Sequence, residues 1–88
     1  MITKEEKQEL VDRFGKSADD TGTPEVQIAI FTKRINRLTD HLKDHPQDHS
    51  TRHGLLKLVG KRRRLLNYLQ NNEIERYRTL IKELGLRK

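Results

Sequence analysis

Residues 55–71 read LLKLVGKRRRLLNYLQN, and this stretch decides what kind of fold the chain can adopt. Its leucines and valine recur at intervals of three and four, which places them along one side of a helix. A second set recurs at the same intervals and lies roughly opposite: Lys57, Lys61, Arg64, Tyr68 and Asn71. The stretch therefore predicts an amphipathic helix with an apolar back and a basic front that contains one aromatic ring.

Local start signals predict two helices ahead of this stretch. Thr3 with Glu6 three residues later is a capping box, and the helix that it begins is expected to end at Gly15. Thr23 is a candidate N-cap, and Pro24 suits the first helical position because its missing N–H would have no intrahelical partner there. This second helix is expected to end near residue 43. Its apolar seam consists of Ile28, Phe31, Ile35, Leu38 and Leu42.

The basic helix is the third, and a fourth helix follows it. Asp48 is the candidate N-cap of the third helix, which is expected to reach about Gln70. Asn72 with Glu75 predicts a capping box for the fourth helix, and Gly85 predicts a Schellman ending. The apolar seam expected of the fourth helix consists of Ile74, Tyr77, Ile81 and Leu84.

The sequence thus predicts an all-α fold of four helices in one domain, residues 1–88. The short link between the second and third helices favours a long antiparallel hairpin, against which the C-terminal helix packs. Residues 24–88 are expected to form this three-helix core. The N-terminal helix, residues 1–14, is expected to be mobile and more loosely attached, because the polar stretch from Gly15 to Gly22 joins it to the rest.

Composition and charge limit the classes of function. Only 32% of the residues are apolar and 36% are charged, so the core must be thin and a partner is expected to contribute to its ordering. Residues 1–50 carry 8 Lys and Arg against 10 Asp and Glu, whereas residues 51–88 carry 11 against 3. The net charge of +6 therefore comes entirely from the C-terminal part, which favours a polyanionic partner.

Several classes of site and location are disfavoured by what the sequence lacks. There is no cysteine, which excludes disulfides and thiolate metal sites. No apolar run has the length of a membrane span or a signal peptide, so we expect a cytoplasmic protein with no membrane partner. No Gly-rich phosphate loop, nucleophile triad or paired buried carboxylates can be found, so we expect no catalytic residues, no enzyme activity and no cofactor.

Four histidines raise the question of a metal site. They recur at every fourth position, as His41, His45, His49 and His53. Two histidines at this spacing on a helix can chelate zinc. Pro46 interrupts the run, however, and no clear ligand set accompanies it. We therefore expect no metal site, and we interpret these residues as RNA contacts or as solvated loop residues.

The basic front of the third helix favours a nucleic acid as the partner. Cations spaced along a helix can meet successive phosphates, and an aromatic ring among them can stack on a base. Gln27, Arg34 and His41 lie seven residues apart on one flank of the second helix, where the outer two are about 21 Å apart. Two contact zones on one nucleic acid are therefore possible. A generic DNA-binding protein and a protein-interaction bundle remain as alternatives, and so does a packing role for Tyr68.

Arg62 does not fit the pattern of the third helix. It falls near the centre of the apolar side, whereas its neighbours Arg63 and Arg64 do not. We expect its methylene groups to pack in the interior while the guanidinium reaches an edge of the bundle or a carboxylate.

Three segments resemble one known family across essentially the whole chain. They are DDTGTPEVQ from Asp19, INRLTDHLK from Ile35 and LVGKRRRLLNYL from Leu58. Together they resemble the family of the fifteenth protein of the small ribosomal subunit, in its bacterial form because no transit extension precedes Met1. The resemblance implies a four-helix protein that binds the central domain of small-subunit rRNA early in platform assembly.

The resemblance also implies two contact zones. One, called here the junction zone, would grip a three-way RNA junction and would consist of Thr21, Gly22, Gln27, Arg34, Arg64 and Tyr68. The other, called the minor-groove zone, would read a nearby G–U/G–C element and would consist of His41, Asp48, Ser50 and Thr51. Auxiliary phosphate contacts are expected from Lys57, Lys61 and Arg63.

The minor-groove zone departs from the pattern usual in the family. The usual DHHSRRGL is replaced by DHSTRHGL from Asp48 to Leu55, so that either Ser50 or Thr51 could supply the expected hydroxyl contact. His53 in place of arginine weakens the local attraction for phosphate near neutral pH. The implied partners are small-subunit rRNA, other small-subunit proteins, large-subunit rRNA across the subunit interface and the protein's own mRNA. The free protein is expected to be a monomer.

Overall fold

The four predicted helices are all present in the structure. The computed structural model describes residues 3–15 and 22–86, which contain helices and no strand. The elements are α1 (Lys4–Phe14), α2 (Pro24–Asp44), α3 (His49–Asn72) and α4 (Ile74–Leu84). The all-α prediction is confirmed. Among the described residues no helix has both the length and the apolar character needed to cross a membrane.

Two predicted helix ends are confirmed atom by atom. At the start of α1, Thr3 Oγ1 accepts a hydrogen bond from the Glu6 amide at 3.1 Å, and Glu6 Oε1 accepts one from the Thr3 amide at 3.0 Å. At the end of α4, Gly85 adopts a positive φ of 68°, which glycine tolerates without steric cost. The Leu86 amide then donates to the Ile81 carbonyl at 3.0 Å, as in a Schellman ending.

The predicted capping box between Asn72 and Glu75 is wrong. Helix α3 continues through Asn72, and Glu73 takes the N-cap position of α4 instead. The Asn72 side chain donates back to the Tyr68 carbonyl at 2.9 Å. Asn72 therefore cannot cap α4, because an N-cap residue must have non-helical dihedrals and Asn72 is helical. Its side-chain amide is also already hydrogen-bonded within α3.

Helices α2 and α3 form the predicted antiparallel hairpin. Thr32 of α2 contacts Arg62 of α3, whereas His41, later in α2, contacts Asp48 at the start of α3. Residue numbers therefore rise along one helix as they fall along the other. The core lies where α4 packs on this hairpin, and its buried cluster consists of Ile28, Leu69, Tyr77 and Leu80.

The apolar seam predicted for α4 is partly wrong. Ile74 is 41% exposed, whereas Leu80, which the predicted seam omits, is 2% exposed. Leu80 follows Tyr77 by three residues and so lies on the same buried face. Ile74 is the first residue of α4 and lies beside the α3–α4 turn, where solvent reaches it.

Helix α1 packs against α2 and buries Leu10 and Val11. Glu6 pairs with Arg37 of α2. At the other end of α1, Arg13 pairs with Glu83 of α4 at 2.6 Å. The Glu6–Arg37 pair is part-buried and the Arg13–Glu83 pair is exposed. Ion pairs within reach of solvent contribute little to stability, so burial of the two apolar side chains is the main attachment of α1. The mobility expected of this helix stays a prediction.

Candidate nucleic-acid interface

The basic front of α3 faces solvent as predicted. Its five exposed members are Lys57, Lys61, Arg64, Tyr68 and Asn71. Tyr68 is 54% exposed, so more than half of its surface remains available to a partner. The neighbouring Leu69 points into the core and is fully buried, which fixes the rotation of α3 and keeps this front outward.

A shallow groove between α2 and α3 brings together members of the junction zone. Gln27, Phe31, Lys61, Arg64 and Leu65 line it. Gln27 Nε2 donates to the Gly22 carbonyl at 2.7 Å, which ties the backbone ahead of α2 to this groove. Among the residues that the structure describes, nothing lies within 4 Å of a Cβ atom placed at Gly22. Thr21 lies outside the described residues.

A second groove continues along the same hairpin toward its turn. Its lining comprises Arg34, Leu38, Ser50, Thr51, Gly54, Lys57, Leu58 and Lys61. Because Lys61 borders both grooves, they form one continuous face, called here the α2–α3 surface. Arg34, expected in the junction zone, lines the second groove with Thr51 and Lys61. It lies between the two zones.

The minor-groove zone is organised by the Asp48 carboxylate. Asp48 caps α3 by accepting from the Thr51 amide at 3.1 Å, and it also accepts from the Thr51 hydroxyl at 2.6 Å. His41 Nε2 lies 2.9 Å from Asp48 Oδ2. Hydrogen bonds from Thr51 and then from His41 hold the pKa of Asp48 well below its usual range. The turn thus presents a fixed carboxylate at the end of the hairpin.

Ser50 and Thr51 offer different chemistry to a partner. The Thr51 hydroxyl proton is committed to Asp48, so this oxygen can only accept a further hydrogen bond. Ser50 is exposed, and its hydroxyl has no hydrogen-bond partner among the residues that the structure describes. A contact to a donor group therefore suits Thr51, and a contact to an acceptor suits Ser50.

The histidines of the turn do not gather into a metal site. His41 and His45 have ring centroids 4.6 Å apart, and His41 is engaged with Asp48. Within residues 3–15 and 22–86 no group of three potential ligands from His, Cys, Asp and Glu is close enough to hold a metal ion.

Arg63 is not part of the α2–α3 surface. It lines a different groove, between α3 and α4, together with Arg62, Asn67 and Tyr77. Arg62 is half-buried, and its Nη1 donates to the Thr32 hydroxyl at 3.2 Å. The sequence predicts that Arg62 packs its methylene groups while its guanidinium reaches an edge of the bundle or a carboxylate. The structure shows it half-buried with its guanidinium on a hydroxyl, and the packing of its methylene groups stays a prediction.

Comparison with known proteins decides the family. The model of the family described as ribosomal protein S15 matches residues 7–87. A protein of Salinibacter ruber, named small ribosomal subunit protein uS15, is 75% identical over 88 residues, which is 100% of both chains. The proteins of that name from Chloroherpeton thalassium and Dictyoglomus thermophilum are 62% and 56% identical over 87 residues, 99% of this chain and 98% of theirs.

The chain belongs to the ribosomal protein S15 family. The resemblance drawn from the three sequence segments is thereby confirmed. As a member of the S15 family, the chain is a structural constituent of the ribosome and not an enzyme.

One pair of residues beside the junction zone of this S15 chain was not found from the sequence. Arg76 of α4 makes a two-pronged ion pair with Glu25 in the first turn of α2, at 2.5 and 2.6 Å. The hydrogen bonds to Glu25 raise the pKa of Arg76. The pair ties the start of α2, and with it Gln27, to α4. No periodicity could reveal it, because the partners are 51 residues apart.

We expect the Asp48 carboxylate to stabilise this S15 turn in a pH-dependent way. Because the folded pKa of Asp48 is depressed, its contribution is fully present above the ordinary pKa of 3.8 and is lost progressively as the pH falls from there toward the lower folded pKa. Asp48→Asn should therefore lower the Tm at pH 7, and the gap to the parent should narrow below about pH 4. Thermal unfolding by circular dichroism between pH 7 and pH 2 measures the gap.

The matched control for this experiment is Asp44→Asn, which removes the same charge from an exposed position at the end of α2. It corrects for the change in net charge. A gap between Asp48→Asn and the parent that keeps the same size from pH 7 to pH 2 would contradict the proposed role of the carboxylate.

Proposed function

We propose that this chain is a primary rRNA-binding protein of the small ribosomal subunit that recognises a three-way junction and a nearby minor-groove element at the same time. The observation that carries the proposal is the continuous α2–α3 surface. Gln27 and Arg64 lie at one end of it, and the Asp48 turn closes the other end of the same hairpin. The described helical members of both zones therefore lie on one pair of packed helices.

The chemistry at each end suits its part of the RNA. At the junction zone, Arg64 offers a planar donor fork for a phosphate, Tyr68 offers a ring face for an unpaired base, and Gly22 has no side chain to keep an RNA backbone away. At the turn, the Asp48 carboxylate and the Thr51 oxygen accept hydrogen bonds. The guanine amino group, a donor in the minor groove, fits such acceptors.

Recognition would then depend on shape. A-form RNA hides the base edges of its major groove from side chains, so a protein reads a junction through phosphates, 2′-hydroxyls and the shallow minor groove. About 21 Å of helix separates Gln27 from His41. Only one arrangement of the junction arms engages both zones, and the protein shifts the RNA toward that arrangement by binding it better. Such selection would nucleate assembly of the central domain, or platform.

The remaining partners follow from the same proposal. We propose that the chain acts as a monomer when free, in the cytoplasm, and that it joins other small-subunit proteins near the interface with large-subunit rRNA. Binding of a junction-like shape in its own mRNA would allow autoregulation by the same surface.

Chemical footprinting tests this function directly. Protein-free small-subunit rRNA is probed with and without the purified chain. We expect two protected regions, one at a three-way junction in the central domain and one in the minor groove of an adjoining helix. Protection scattered over many unrelated helices would contradict the proposal, because it would indicate non-specific binding to phosphates.

Replacing Arg64 with alanine should weaken binding of the junction and reduce its salt dependence. The slope of log K against log salt concentration is negative. Loss of one phosphate contact releases about one counterion fewer, so the slope should become flatter by about 0.7–0.9. Filter binding at several salt concentrations measures the slope. Arg78→Ala, which removes an exposed arginine from α4, is the matched control. A slope for Arg64→Ala equal to that of the control would exclude Arg64 as a phosphate contact.

A further inference from the structure

A second cationic groove lies between α3 and α4. Its lining residues are Val59, Arg62, Arg63, Leu66, Asn67 and Tyr77. Arg63 is displaced from Arg64 by about 100° around the helix axis, the rotation between consecutive residues. The groove therefore opens on a different side of α3 from the α2–α3 surface, and the two surfaces share no lining residue.

Arg62 is a half-buried cation whose protein partner is neutral. Its one hydrogen bond goes to the Thr32 hydroxyl, and no carboxylate forms an ion pair with it among the residues that the structure describes. Burial alone lowers the pKa of Arg62. Taking a charge out of water without a counter-ion is unfavourable. An anion in the groove would offset that cost.

The Arg62–Thr32 hydrogen bond does not explain why an arginine is present. The Thr32 hydroxyl already donates to the Ile28 carbonyl at 2.8 Å, so this buried group is satisfied within its own helix. A long apolar side chain at position 62 would fill the same space and bury no charge.

The donors of this groove suit a phosphate. Two arginines at consecutive positions line it, Arg62 half-buried and Arg63 exposed, and the exposed Asn67 lies a turn further along α3. Guanidinium forks bind phosphate oxygens in pairs. The carboxylate-poor segment 51–88, with 11 Lys and Arg against 3 Asp and Glu, attracts a polyanion from a distance.

We propose that the α3–α4 groove binds a backbone phosphate of a second RNA segment, separate from the RNA on the α2–α3 surface, through Arg62 and Arg63. The identity of the occupant rests on the proposed function, since it takes RNA as the partner of the chain. With RNA on two sides, α3 would be held between two segments and would fix their separation as well as the geometry of the junction.

The test compares two RNAs at equal salt. One is a minimal fragment that carries the three-way junction and the adjoining minor-groove element, and the other is the complete protein-free small-subunit rRNA. We expect Arg63→Ala and Arg62→Met to bind the fragment within about twofold of the parent but to lose about 5- to 50-fold in affinity for the complete rRNA. The Arg78→Ala control should bind both RNAs like the parent.

A stability measurement separates binding from packing. Because methionine keeps the packing volume and removes a poorly paired charge, Arg62→Met should keep or raise the Tm of the free protein. A lowered Tm with unchanged affinity for the complete rRNA would overturn the proposal and assign Arg62 to packing. Equal losses on both RNAs would overturn it too, because the groove would then belong to the junction-binding surface.

Two further outcomes are distinguishable. Both variants could bind the complete rRNA with parental affinity and yet fail to enter the small subunit when other ribosomal proteins are present. That result would overturn the proposal and would indicate that the groove binds an acidic protein. Failure of the parent itself to prefer the fragment over unstructured RNA would refute the proposed function, whatever the variants do.

Discussion

Leu69→Ala is expected to lower the free energy of unfolding by about 2–5 kcal/mol. Leu69 is fully buried and belongs to the one described cluster that joins α2, α3 and α4, with Ile28, Tyr77 and Leu80. Truncation removes buried methyl groups and leaves a cavity between α2, α3 and α4. These three helices are held together by the rest of the cluster, so they cannot easily move in to fill it. A small domain has a total stability of only about 5–15 kcal/mol, so a large part of it would be lost.

Urea unfolding followed by circular dichroism measures this change. The same substitution at Leu56, which lies on α3 but is 64% exposed, is the control and should change the stability by no more than about 0.5 kcal/mol. Equal losses at the two positions would contradict the assigned rotation of α3, on which the outward position of the basic front depends.

Tyr68→Ala is expected to weaken binding of the RNA junction by about 1–3 kcal/mol, the value typical of an aromatic ring that stacks on a base. Because Tyr68 is 54% exposed, the fold should tolerate the change. Isothermal titration with the junction fragment measures the loss, and unfolding experiments on the same sample check that the protein remains folded.

Tyr68→Phe separates the ring from the hydroxyl. Stacking requires only the ring, so we expect this variant to keep most of the parental affinity. A large loss of affinity in Tyr68→Phe would instead show that Tyr68 binds through a hydrogen bond of its hydroxyl. Parental affinity for Tyr68→Ala together with a reduced stability would return Tyr68 to a packing role.

Helix ends were predictable from the sequence where the capping chemistry is local. Thr3 and Glu6 are three residues apart, and Gly85 needs only its own freedom to adopt a positive φ. The prediction at Asn72 failed because the end of the preceding helix is not decided locally. A capping motif specifies a competent residue, but it does not specify whether the preceding helix has already ended, and that depends on tertiary packing.

The candidate site was predictable in its residue types more than in its arrangement. The i, i+4 spacing placed Arg64 and Tyr68 on one exposed front, and the chain order placed Asp48 beside the turn. The seven-residue spacing already placed Arg34 midway between Gln27 and His41, but which α3 residues it faces depends on how α2 and α3 are rotated against each other. Long-range pairs such as Glu25 with Arg76 leave no trace in the local sequence.

The central claim is that two contact zones on one rigid hairpin select a folded RNA. It is tested most directly by measuring the affinity of the purified chain, at one salt concentration, for the folded three-way junction and for an unstructured strand of the same base composition. We predict that the chain binds the unstructured strand at least about 100-fold more weakly than the folded junction, because a strand supplies phosphates but not the spacing of the two zones. Equal affinities for the two RNAs would contradict the account.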